Sequence, residues 1–138
     1  VKTLRIVLGL VVLAYALASL AGAASVAAYR LDALSPPGFV SAAARDLMGG
    51  VSWAQLALWA VAVALYLVVA LKLLRRAKTF VFWSTAFVLD VLNWLWFRAA
   101  GFYDAAVPAE LVYADYAVLG ANLLVGVLIL ALGRTHLD

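Results

Sequence analysis

At 138 residues, 69% of them hydrophobic and 12% charged, the chain has too little polar surface to cover a water-soluble globule, which is usually about half apolar and a quarter charged. The absence of cysteine excludes disulfides, thiolate metal sites, iron–sulfur ligation and cysteine nucleophiles. The net charge of +3 is small, the basic residues form no extended patch and the aromatics sit in apolar runs, so nucleic-acid binding has no support.

In chain order, the first candidate span covers about residues 6–28, an apolar run that follows Lys2 and Arg5. The basic start and the small residues Ala21-Gly22-Ala23-Ala24 resemble a secretory signal peptide. The run is longer than the roughly 7–15 residues of a signal h-region, so a retained helix is expected. Ala14, Ala18 and Gly22 recur every fourth residue and predict a small-residue stripe open to close helix approach. Residues 29–51 form the longest polar segment. Ser35-Pro36-Pro37-Gly38 breaks the helix there, because proline removes a donor and restricts the residue before it. A short interfacial helix over 39–48 is expected, ended by Gly49-Gly50.

The second span covers about 52–74. Ser52-Trp53-Ala54-Gln55 matches a capping box, with the Ser hydroxyl meeting the Gln N–H and the Gln side chain reaching back. That gives Gln55 a local structural job. Trp53 is placed as an interfacial anchor, and Trp59 and Tyr66 as deeper packing residues. Lys72, Arg75, Arg76 and Lys78 close this span in a very short basic turn, suited to anionic lipid headgroups. A turn that short makes the second and third spans antiparallel neighbours.

The third span, about 79–100, is nearly continuous in apolar and aromatic side chains, with Asp90 near its middle. Its length in a helix matches the roughly 30 Å hydrocarbon core of a bilayer. The fourth, about 110–132, starts after Pro108 with Glu110 near its N-terminus and stops at Gly133. The expected architecture is therefore all-α: one transmembrane domain over 1–138, an up-down-up-down four-helix membrane bundle. Seven of the ten basic residues fall on the side holding Lys2, the 72–78 turn and Arg134, against Arg30, Arg45 and Arg98 opposite. The excess places both termini in the cytoplasm, and a bacterial inner membrane is the expected location.

A carboxyl group midway through a bilayer is costly and normally faces a protein interior or a wet cavity with a partner. Asn93 shares a helical face with Asp90, and Asn122 lies at similar depth on the fourth span. Asp90 is therefore expected to point inward and meet Asn122, Asn93 or a hydroxyl such as Tyr15 or Ser19. The three residues Asp90, Asn93 and Asn122 serve either as interhelical glue or as a proton or ligand site. Toward the outer side, Arg98 is expected to pair with Asp115 and staple the third and fourth spans. Trp94, Trp96 and Phe97 are candidates for an aromatic pocket beside it, and otherwise for a membrane-interface belt.

No Gly-rich phosphate loop, G-x-S-x-G elbow, H-E-x-x-H or D-x-D motif occurs, and the single histidine, His136, lies in the tail. No catalytic residue, metal site or cofactor is assigned. The leading expectation is a non-enzymatic accessory or assembly subunit of a larger membrane complex, with the bilayer and partner helices or a second copy as its partners. The alternatives are a small proton-coupled transporter or polar-headgroup carrier using Asp90, and a lipid-modifying membrane enzyme.

Overall fold

The computed structural model describes residues 2–31, 51–75, 78–99 and 109–135, and the side chains of 29, 109–114 and 133–135 are outside that description. Among the described residues the protein is all-helical: α1 (Lys2–Arg30), α2 (Trp53–Leu74), α3 (Phe80–Ala99) and α4 (Ala109–Thr135). Each contains a stretch long and apolar enough to cross a membrane. The interfacial helix expected over 39–48 lies outside the described residues, as does the side chain of Arg76.

Local chemistry sets the ends of α2. Ser52 sits in an extended conformation and its hydroxyl accepts the Gln55 N–H at 3.1 Å, which satisfies one of the orphan donors of the first turn. The return arm of the expected capping box is not made. The Gln55 side chain turns inward instead and is 4% exposed. At the other end the Arg75 N–H closes the helix on the Leu71 carbonyl at 3.0 Å.

Rising residue numbers on α1 meet falling numbers on α2: Gly9 lies against Leu74, Tyr15 against Tyr66, Gly22 against Trp59, and Arg30 reaches the Val51 carbonyl. The same opposition joins α2 to α3, where Trp59 meets Phe97 and Lys72 meets Phe82. It recurs between α3 and α4, where Trp83 lies over Gly126 and Trp94 meets Tyr116.

The larger core cluster draws on all four helices, through Leu8, Val12, Val69, Leu73, Trp83 and Ile129 among others, in the half nearer the 75–79 turn. A smaller cluster of Val26, Val51 and Leu56 occupies the opposite half, with Trp59 and Phe97 packed on it. The buried face of α1 runs through Leu8, Val12, Ala16, Ala23 and Val26. The small-residue stripe is consequently rotated away from this packing. Ala14 and Ala18 are exposed and only Gly22 approaches another helix, at the Trp59 ring. Large side chains at Leu8, Val12 and Val26 bury more apolar area than the alanines would, and that sets the rotation.

Candidate functional site

Along α3 the buried residues Trp83, Ala86 and Asn93 fall on one helical stripe, and Asp90 lies on it between them. The pattern of large inward residues thus turns the carboxyl toward the bundle. There one oxygen, Oδ2, accepts two hydroxyls: Tyr15 of α1 donates at 2.5 Å and Tyr66 of α2 at 3.0 Å. The first distance is that of a strong O–H to carboxylate bond. Tyr66 is 1% exposed, and its oxygen also accepts an amide N–H from Asn122 of α4 at 2.8 Å. The Asn122 carbonyl in turn accepts the Trp83 indole N–H at 3.2 Å.

One continuous chain of bonds therefore runs through Tyr15, Asp90, Tyr66, Asn122 and Trp83, with a member on every helix. In a medium that offers no water, each such link contributes on the order of 0.6–2 kcal/mol. The T-shaped contact of the Tyr15 and Tyr66 rings, 5.1 Å between centroids, adds an apolar frame around the hydroxyls. Trp83 is held on its other face by stacking on Phe87 at 5.0 Å.

The residues singled out in the sequence divide between this cluster and other places. Asp90 and Asn122 belong to it, linked through Tyr66 rather than directly. Asn93 does not join: it is 6% exposed and its Oδ1 has no hydrogen bond. Ser19 accepts the Trp59 indole N–H at 2.9 Å, not a bond with Asp90.

Toward the outer side, Arg98 joins α3 to α4. Arg98 donates to the hydroxyl of Tyr116, the residue after Asp115, and lies over the Trp94 ring at 5.3 Å. A planar guanidinium gains from stacking on an indole as well as from a hydrogen bond, a combination the Asp115 side chain does not offer. Among the described residues the three aromatics meet different neighbours: Trp94 and Phe97 share a face of α3 but reach different helices, and Trp96 lies about a quarter-turn away from that face. Trp94 turns to Tyr116, Phe97 to Trp59, and Trp96 is exposed. In the basic turn, Lys72 lies over the Phe82 ring at 4.5 Å, while Arg75 and Lys78 are exposed.

Sequence reasoning missed Tyr66 and Trp83. Tyr66 and Asp90 stand 24 residues apart around the short turn, Tyr66 eight residues before the end of α2 and Asp90 ten after the start of α3, so hairpin counting places them near one level. Arg5, counted among the basic residues of the side that holds Lys2 and the 72–78 turn, is buried at 3% exposure.

Between α1 and α4 a half-open cleft of about 230 Å³ reaches the cluster from the side, with Val11, Val12, Val118 and Val125 as walls and Tyr15 and Asn122 at its floor. Chemically, the cluster offers a carboxyl with one oxygen saturated by phenols. Among the described residues its Oδ1 receives no hydrogen bond, which leaves it able to exchange a proton or meet a hydrogen-bonding ligand. Among those residues no three His, Cys, Asp or Glu side chains come together. No family model, curated protein or solved structure matches the chain.

Proposed function

We propose that the protein is a four-span, up-down-up-down membrane protein with both chain ends cytoplasmic, and that it acts as a small proton-coupled transporter or polar-ligand carrier through Asp90. The observation that carries this reading is the mid-span carboxyl, clasped through one oxygen by Tyr15 and Tyr66 and open at the other. An ionisable group at that depth is expensive, and purely adhesive work is done as well by neutral amides such as Asn122. The excess of basic residues on the side of the 72–78 turn supports the orientation. Lys72, Arg75, Arg76 and Lys78 would meet anionic headgroups of a bacterial inner membrane there.

Infrared spectra recorded as the pH is stepped test the reading. The expected result is a carboxylic C=O band that appears and disappears reversibly in the wild type and is missing in Asp90→Asn. A carboxyl that never exchanges its proton while the fold persists would leave Asp90 as a fixed strut and end the proposal.

One observation favours a second reading, an accessory subunit of a larger membrane complex. The outer face of α3 presents Val81, Val88, Leu92, Leu95 and Trp96, with Val81 72% exposed. Such a face suits partner helices as well as acyl chains. Purification in mild detergent should then bring down a stoichiometric partner, and a lone monodisperse monomer would count against this role.

A further inference from the structure

The helices pack in sequence, α1 on α2, α2 on α3 and α3 on α4, and the seam between α1 and α4 is sparser than these. The cleft lies in that seam, at mid-span, with aliphatic walls and with Tyr15 and Asn122 as its polar groups. Two wall residues, Val11 and Val118, are exposed, so the opening faces acyl chains.

Its size and depth limit what can enter. About 230 Å³ falls below the roughly 300–1,000 Å³ of pockets for drug-sized ligands. The floor lies roughly 15 Å from either edge of the hydrocarbon core, half of its thickness. A phospholipid headgroup anchored at the interface does not reach it. A single aliphatic chain with a small head, dissolved in the hydrocarbon, does.

The charge of that head follows from the floor. Among the described residues no Lys, Arg or His lines the cleft, so a carboxylate or phosphate meets no counter-charge there. Tyr15 gives its proton to Asp90 Oδ2 at 2.5 Å, and its oxygen serves an incoming group as an acceptor. An N–H bonded to that oxygen places its nitrogen roughly 4–5 Å from Oδ2. At that separation opposite charges attract strongly in a medium of low dielectric.

We infer that the α1–α4 cleft admits, sideways from the bilayer, a membrane-dissolved aliphatic amine whose head is held as an ammonium against Asp90. The amine arrives neutral and takes up the proton of the Asp90 carboxylic acid, relayed by the Tyr15 hydroxyl. An O–H bond breaks, an N–H bond forms, and no net charge is carried into the membrane. The inference rests on the reading of Asp90 as a proton site and names the ligand class.

Protein with carbon-13 valine methyls, in phosphatidylcholine bicelles, is titrated with dodecylamine, dodecanol and dodecanoate. Dodecylamine should shift the methyls of Val11, Val118 and Val125 saturably, at a half-saturation at least about tenfold below that of dodecanol. Val81 and Val88, exposed on α3, should drift alike with all three. In the infrared, the amine should replace the Asp90 carboxylic band by carboxylate bands. Asp90→Asn should erase the preference for the amine. Ala121→Leu, which fills the cleft without touching the clasp, should abolish saturation while the carboxyl still titrates. If Asp90→Asn does not fold, the three heads on the wild type, together with Ala121→Leu, decide. Equal half-saturation for the three chains, or saturation that survives Ala121→Leu, would overturn the inference. A carboxyl that titrates with pH but ignores dodecylamine sinks the ligand class and spares the proton site.

Discussion

Tyr66 and Asn122 are joined hydroxyl to amide across 2.8 Å, and the same Tyr66 hydroxyl donates to Asp90, so one side chain of α2 ties α3 to α4. Tyr66→Phe removes both links at once. It also leaves the Asn122 N–H buried without an acceptor, which should cost about 1–3 kcal/mol of stability. Thermal unfolding in detergent checks the value. An unchanged midpoint would show that the hydroxyl is not engaged.

Tyr15→Phe should be milder than Tyr66→Phe. It removes one donor from Asp90 Oδ2 and leaves the Tyr66 bond to that oxygen in place. The expected loss is on the order of 0.6–2 kcal/mol, the range for a single interhelical bond in lipid. Combined with Asp90→Asn in a double-mutant cycle, the two effects should fall short of their sum, because each substitution breaks the same bond. Full additivity would separate the two residues.

Two glycines of α4 should respond in opposite ways to alanine. A Cβ at Gly126 would overlap the Trp83 ring, and that ring is held by Asn122 and Phe87. Gly126→Ala should therefore destabilise by about 1–3 kcal/mol and shift Trp83 fluorescence. At Gly120 nothing lies within 4 Å of the added carbon. Gly120→Ala should be neutral or stabilising by up to about 1 kcal/mol through helix propensity. Equal effects at both positions would contradict the packing of Trp83 on α4.

Ser52→Ala removes the acceptor for the Gln55 N–H and should cost about 0.5–2 kcal/mol. Amide hydrogen exchange should accelerate over Trp53 to Leu56 and remain slow near Tyr66. Uniform acceleration across α2 would mean that the cap governs more than the first turn.

The architecture was legible because membrane spans are written in long apolar runs, and Ser52 and the 75–79 turn mark helix limits in local chemistry. The inward direction of Asp90 was legible for a similar reason, since a carboxyl in a bilayer has few tolerable places to face. Its partners were harder to read. Helical periodicity places Asn93 on the right stripe but does not say whether another helix brings a donor to its level. Tyr66 reads as packing until its depth is counted through the turn. The outer contacts were least legible, because Trp94, Trp96 and Phe97 look alike in sequence and only the positions of α2 and α4 separate them. Arg98 meets the Tyr116 hydroxyl and the Trp94 ring, and no charge count contains those contacts.

The central claim is that Asp90 is held inside the bundle by the hydroxyls of Tyr15 and Tyr66. Solid-state NMR on protein in lipid bilayers, with carbon-13 in aspartate carboxyls and tyrosine Cζ, measures this most directly. Cross-peaks from the Asp90 carboxyl to both tyrosines are predicted, each lost in the matching phenylalanine variant. An Asp90 carboxyl that correlates with lipid acyl protons and with neither tyrosine would contradict the account.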